Sequence, residues 1–395
     1  MMRAASLFSQ VLGLFDRGIF ARLVQKHKAE RYSKGFASWD QFVAMLFCQL
    51  AQAKSLREIC GGIASTVGKI RHLGLEEAPN KSTLSYANSH RPWQMFEDLF
   101  YETLKMCQDG CRHLKKKFKF KNKLLSFDSS TISLCLSLFP WADFRKTKGG
   151  VKLHLLLDHD GYLPIFAVLG SAKKHDSTVA RQIPLPKGSI VAMDRAYNDY
   201  VLFNRWTEEG VYFVTRMKSN ARYQVAQAFD VPKNRNILSD EYIRLTGADA
   251  EKKYPDFLRR VVVWDEANNR EIVLLTNHLG FGATTISAIY KDRWQIELFF
   301  KALKQNLKVK TFVGTSQNAL YTQIWTALIA MLLIKYLQFK SKFQWSLSNL
   351  VAFLRWNLFT YRDLWDWIDD PFLFPAAPPA PDLVQGFLPG FGQQM

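Results

Sequence analysis

Cysteine is scarce in this chain, and what there is does not pair up: Cys48, Cys60, Cys107, Cys111 and Cys135 are spread irregularly over 395 residues. An odd count, with no second Cys or His pair to complete a site around Cys107 and Cys111, excludes a disulfide framework and the common zinc spacings. The thiols read as reduced. A long apolar run is also missing. The most apolar stretch, Ile324 to Ile334, falls short of the roughly 20 residues that span a bilayer, so it reads as a buried core helix and no membrane partner is expected. The start, MMRAASLFSQVLGLFDRGIF, is interrupted by Ser, Gln and Asp16 where an export signal needs continuous apolar residues, and a cytoplasmic location is expected.

Acid is in short supply beside base. The 35 Asp and Glu stand against 53 Lys and Arg, leaving a net charge of +18. Acidic residues serve solubility better than basic ones, so an excess of this sign implies an anionic partner, and nucleic acid comes first. With 48% apolar residues the chain is globular, and its length implies two or three domains.

Residues 1–114 read as a helical domain, with apolar residues recurring at three and four and capping-box spacing at Ser38–Gln41 and Ser55–Glu58. Within it SLREICGGIAS, TVGKIRHLGL and KSTLSYANSHRP form three short helical segments, loosely arranged like a helix-turn-helix, a pattern any small bundle can also give. Lys81, Ser82, Thr83, Ser85 and Arg91 would open and close the helix lying on DNA. The run KKKFKFKNK at 115–123 is either a solvated junction or a linker that follows phosphates.

Beyond it the period becomes that of strands. LLSFDSSTI and SIVAMDRAY are apolar runs ending in an acid, and GVKLHLLLDHDGYLPIFAVLG is two strands around an Asp-Gly turn. Strands mixed with helices in this order predict an α/β core over 115–335. A β-rich insertion is expected at about 210–280, from VYFVTRMK, RYQVAQAF, FLRRVVVW and REIVLLTN. Residues 336–395 read as C-terminal helices followed by a flexible tail rich in proline and glycine.

Asp128 and Asp194 each end an apolar strand, where open α/β sheets place their ligands. Aspartate there also commonly caps the next helix, so neither alone defines a site. In IYKDRWQIELFFKALKQNLKV, Tyr290, Arg293, Glu297 and Lys304 project within a stripe about 60° wide on one helix, beside an apolar arc of Ile289, Ile296, Phe299, Phe300, Leu303 and Leu307. An Arg–Glu pair one turn apart is also an ordinary stabilising contact.

The spacing Y-x2-R-x3-E-x6-K, preceded by SFDSST and AMDRAY, resembles the signature of insertion-sequence DDE transposases of the YREK group, from about residue 120 to 335. FVTRMK and LLTN resemble that family's insertion domain. The resemblance implies an RNase H-like mixed sheet flanked by helices, with Asp128, Asp194 and Glu297 as catalytic ligands of Mg2+ or Mn2+, two ions in all. Three convergent carboxylates need such cations, and all-oxygen donors suit them. It implies that Tyr290, Arg293 and Lys304 hold phosphates, and that cut-and-paste transposition proceeds through a hairpin at terminal inverted repeats before transfer into target DNA. A homodimer on double-stranded DNA is expected. Trp294 would stack on a flipped base, or else pack.

Arg145, Lys146, Lys148 and Lys152 form a basic cluster suited to a DNA backbone, though unspecific. His154 reads as an interior histidine, and Asp176, next to His175, as a helix cap. Another RNase H-like nuclease would keep the three acids without requiring the Tyr, Arg and Lys offsets. A catalytically silent DNA-binding protein would not need the acids.

Overall fold

The computed structural model describes residues 5–373 apart from 32, 67–69, 112–115, 146–147, 173–175 and 234. The helical first part contains α1 (Leu7–Leu12), α2 (Arg17–Lys26), α3 (Ser38–Ala51), α4 (Leu56–Ala64), α5 (Lys81–His90) and α6 (Gln94–Cys111). Ser55 caps α4 by accepting from Glu58 N at 3.2 Å, as its spacing predicts. At α3 the cap falls one residue earlier than expected. Asp40, an acid at the third helical position, accepts from Ala37 N at 2.8 Å, while Gln41 is buried and donates to Asn88. Of the three short helices expected before residue 92, the middle one is only a 3-10 turn, Ile70–Leu73.

The strands β1 (Leu124–Leu134), β2 (Asp143–Arg145), β3 (Lys148–Asp158) and β4 (Leu163–Ser171) come next. They are followed by α7 (Asp176–Ala180), β5 (Ile190–Met193), α8 (Tyr200–Glu208) and β6 (Tyr212–Arg216). The turn between β3 and β4 is built on Gly161 and Tyr162, both at positive φ (80° and 52°), which is why the Asp-Gly pair sits there. Then come β7 (Tyr223–Ala228), β8 (Ile237–Leu245), α9 (Ala248–Lys253), β9 (Leu258–Asp265) and β10 (Arg270–Thr276). The chain continues through α10 (Ala283–Asp292), α11 (Trp294–Asn306), α12 (Gln317–Lys340), α13 (Leu347–Asn357) and α14 (Leu364–Asp369).

All ten strands join one mixed sheet, in the order β4-β3-β1-β5-β6-β10-β9-β8-β7, with the short β2 beside the start of β3. β1, β5 and β6 run parallel, and every other neighbouring pair is antiparallel. The four residues of β5 are all buried, as expected of a parallel strand covered on both faces. β6 belongs to this parallel centre, so the β-rich extension begins after it. That extension includes β8, a strand the sequence reading does not separate.

Phe203 and Trp206 of α8 pack with Phe127, Met193 and Phe213 in one apolar layer. A second layer joins Ile286 and Ile289 of α10 to Ile190, Ala192 and Val214. The largest cluster runs from Leu7 to Ile368, so the helical stretches at both ends of the chain share a core with α11, α12 and β3. α12 is buried on all sides in it. Its 24 residues are long and apolar enough to cross a membrane, yet 89% of its most apolar window lies inside the protein.

The lysine run is solvated but anchored. Lys116 pairs with Asp160 at 2.7 Å, Lys117 with Asp292 at 2.5 Å and Lys123 with Asp158 at 3.0 Å, tying the run to the turn after β3 and to the end of α10. Phe118 stacks on Phe120, and Phe120 packs at a tilt against Phe281, so the alternate residues of the run face inward. The proline-rich tail from 374 lies outside the described residues.

Candidate active site

Asp128 and Asp194 meet because their strands do. β1 and β5 pair in parallel up to Phe127 opposite Met193, so the next residue of each is one of these acids: Asp194 directly follows β5, whereas Asp128, expected to end its strand, lies within β1, which runs on to Leu134 paired with β3. Asp128 accepts from Ser129 N at 2.8 Å. Burial, opposed by that bond and by Arg293 and assisted by Glu297 and Asp194, pushes its carboxyl up to about 6. Asp194 also accepts from Ala196 N at 3.0 Å, so it caps a 3-10 turn as well as facing Asp128.

The third acid comes from α11. The helix expected as one continuous wheel is two, broken at Arg293. The reason lies in packing: Ile289 belongs to the layer under the sheet, whereas Ile296, Phe299, Phe300 and Leu303 belong to the large helical core, and one straight helix cannot serve both. Arg293, Glu297 and Lys304 stay together on α11 or its first turn, and Tyr290 sits at the end of α10 with its ring 5.4 Å from the guanidinium carbon.

Arg293 stands between the acids. It donates from Nη2 to Glu297 Oε1 at 2.7 Å, and its Nη1 lies 3.8 Å from Asp128 Oδ2. Burial alone would lower this guanidinium, but Tyr290, Glu297 and Asp128 hold it above its usual value. The residue is 8% exposed, and its Nε is buried without an acceptor. Lys304 donates to Ser130 Oγ at 2.6 Å and to Thr131 O at 3.2 Å. Burial and the neighbouring Lys310 lower its pKa. Lys301, Lys304 and Lys310 line one cleft with Asp128, Ser130 and Glu297. Sequence reasoning missed Ser130 and Lys310 in that cleft, although SST directly after Asp128 was a signal for the former.

Among the described residues no three Asp, Glu, His or Cys side chains stand close enough to cage an ion. The charge between Asp128 and Glu297 is balanced by Arg293 instead. The donor set nevertheless fits a hard divalent cation: the acids offer only oxygens, and burial, with the neighbouring Glu297 and Asp194 adding to it, disfavours the bare charge on Asp128.

Trp294 is 54% exposed, so it does not pack in the core. Lys81 and Ser82 are exposed on the first turn of α5 and do not line the cleft around Asp128 and Glu297. Arg91, by contrast, is buried and donates to Ala37 O at 2.8 Å and to Ser33 Oγ at 3.0 Å, which makes it a structural tie and removes it from any DNA-facing surface. Arg145 pairs in register with Lys148 where β2 meets β3, and the side chains of both lie outside the described residues, as do Lys146 and His175. His154 is 1% exposed and its ring lies 6.2 Å from that of Phe127, an interior position.

A mixed sheet flanked by helices, with acids at its parallel centre and a cationic cleft beside them, agrees with the family whose pattern the chain matches. Residues 119–333 match the family described as "Transposase DDE domain", and the chain belongs to it. Residues 3–76 match a further family, a domain of unknown function designated DUF4372. Among its relatives is the probable transposase for insertion sequence element IS5377 of Geobacillus stearothermophilus, 30% identical over 69% of this chain and 72% of that one. The transposase-family protein y4zB of Sinorhizobium fredii is 30% identical over 70% of this chain and 77% of that one. A solved piggyBac transposase synaptic complex with hairpin DNA is similar at TM-score 0.45 and 12% identity, covering 94% of this chain and 81% of that one, a likeness too slight to bear on function. The chain is a transposase of an insertion-sequence family.

Proposed function

We propose that the chain moves its own insertion sequence by cutting DNA at the terminal inverted repeats and joining the freed 3′ ends to target DNA, as a homodimer in the cytoplasm. The observation that carries this reading is the placement of Asp128 and Asp194 side by side on parallel strands, with Glu297 reached through Arg293. The order β4-β3-β1-β5-β6, three antiparallel strands followed by two parallel ones, supports an RNase H-like core. The YREK assignment rests on Tyr290, Arg293 and Glu297 gathering at the joint of α10 and α11, with Lys304 in the last turn of α11 lining the same cleft as Glu297.

Asp128, Asp194 and Glu297 would hold Mg2+ or Mn2+, which when bound activates a water or 3′ hydroxyl and stabilises the leaving oxygen of a phosphodiester. Arg293 would turn from the acids toward the scissile phosphate, whose oxygens offer its unsatisfied N–H an acceptor. Lys304, held against β1 by Ser130, fixes the strand at the other end of the cleft. Tyr290 donates to a phosphate oxygen, and exposed Trp294 offers a face to an extruded base. Lys81 and Ser82 would meet the duplex farther along, and Arg145 and Lys148 its backbone.

Purified protein, Mg2+ and a linear fragment carrying the element's end should yield nicked and hairpinned strands on a denaturing gel. Glu297→Gln, or Asn at either Asp, should abolish cutting and preserve end binding. Cuts without end preference would make the protein a general nuclease; a mobility shift with intact strands would make it a silent binder.

A further inference from the structure

One polar chain near the joint of α10 and α11 takes no part in this chemistry. Ser126 Oγ lies 2.6 Å from His159 Nε2, His159 Nδ1 lies 2.6 Å from Asp292 Oδ2, and Lys117 Nζ lies 2.5 Å from Asp292 Oδ1. Tyr162 adds a fourth contact, from its hydroxyl to Asp292 Oδ2 at 3.4 Å. The side chains of Asp292 and His159 are 1% and 6% exposed, and Ser126 is fully buried. Ser, His and Asp in this order resemble a hydrolytic triad, but a hydroxyl with no exposed surface meets no substrate.

The position of the chain gives it another use. Ser126 lies two residues before Asp128 on β1, His159 follows β3, and Asp292 is the last residue of α10, directly before Arg293. The relay therefore links the strand that carries the first acid to the hinge that carries Arg293 and aims Glu297. Burying an acid and a histidine is costly unless both are held by partners, and apolar residues would fill the space more cheaply. What the buried pair adds is a fixed direction.

We propose that Asp292 and His159 are positioning residues of the catalytic centre, locking the α10/α11 joint to β1 so that Arg293 and Glu297 stay opposite Asp128. This rests on the functional reading above.

The test compares Asp292→Asn and His159→Gln with Asp240→Asn, which breaks the buried Arg259–Asp240 pair in the β-rich extension. For each full-length variant, end cleavage, end-DNA affinity, melting temperature and amide exchange over residues 286–300 are measured. The first two variants should lose at least tenfold in cleavage rate well below their melting points, keep DNA affinity within twofold, and exchange faster at 293–297. Asp240→Asn, at a similar loss of melting temperature, should cleave within twofold of wild type. Normal cleavage by both relay variants, or an equal loss in Asp240→Asn, overturns the proposal. If Asp292→Asn does not fold, His159→Gln decides. If the wild-type protein cuts nothing, the functional reading fails, and exchange alone judges the relay: unchanged protection at 293–297 sinks it.

Discussion

Arg293 donates to Glu297 across one helical turn at 2.7 Å, at the point where α10 gives way to α11. The same guanidinium approaches Asp128, so acids from a strand and from a helix share one cation belonging to the chain itself. On the proposed function, a metal ion would compete with this arginine for the same oxygens. Binding of either DNA or metal should help the other, because a phosphate that draws Arg293 away leaves the carboxylates free.

Substituting Arg293 tests that competition. Arg293→Gln removes both the phosphate ligand and the competing charge, so end cleavage should fall by at least a hundredfold while the metal concentration for half-maximal residual cutting falls or stays level. Arg293→Lys keeps the charge but not the two-pronged geometry, and should lie between the two. A metal requirement that rises in Arg293→Gln would show that the arginine assists metal binding and would contradict the account.

The raised carboxyl of Asp128 makes stability depend on pH. With a folded value of about 6 against an ordinary value of 3.8, the folded state binds the proton more tightly than the unfolded one between those limits. Stability should thus fall as pH rises from about 4 to 6, by about 3 kcal/mol at most for this group. In metal-free buffer, Asp128→Asn should show a shallower decline over that window and be more stable at pH 7 by about 1–3 kcal/mol. Urea unfolding at several pH values measures both. Parallel curves for the two proteins would mean that Asp128 is not strained by its surroundings.

Asp128 and Asp194 were legible in the sequence because buried parallel strands appear as short apolar runs, and the residue that follows such a run leaves the core. The stripe on α11 was legible for the matching reason, since its apolar positions recur with a helical period. The joint at Arg293 was not, because a helical wheel presumes a straight axis and says nothing of two cores pulling on one segment. A sign of it was present all the same. With Tyr290 at zero, Asp292 projects to about 200°, inside the apolar arc, and an acid placed there must have buried partners. The partners themselves, Lys117 and His159, lie too far away in sequence for spacing to pair them.

Lys304 should contribute to DNA affinity through charge. Its amine is already held by Ser130 and Thr131, so little further ordering is lost when a phosphate arrives. Lys304→Gln should weaken end binding and lower the slope of log affinity against log salt by about one, as loss of one phosphate contact requires. Ser130→Ala, which frees the amine without removing it, should lower cleavage by less than Lys304→Gln and leave the slope unchanged. Unchanged affinity across salt in Lys304→Gln would remove this residue from the DNA surface.

Two cations at opposite ends of α5 are expected to behave differently, though the sequence groups them. Arg91 is buried in the core side of the helical region and satisfies carbonyls of the loop before α3, with burial lowering its pKa against the pull of Glu30 and Asp40. Its removal leaves those carbonyls unpaired, so Arg91→Ala should cost about 2–4 kcal/mol in unfolding free energy. Lys81 is exposed on the first turn, where Asn80 already caps Ser82 N at 2.8 Å, and Lys81→Ala should change stability by less than about 0.5 kcal/mol. If α5 meets DNA through that turn, Lys81→Ala weakens end binding at constant melting temperature, whereas the Arg91 variant loses melting temperature first and binds normally where it remains folded. Should both variants keep full affinity, the helical part of the chain must meet DNA elsewhere or not at all, and recognition of the element's ends would fall to the cleft around Lys304 and its neighbours.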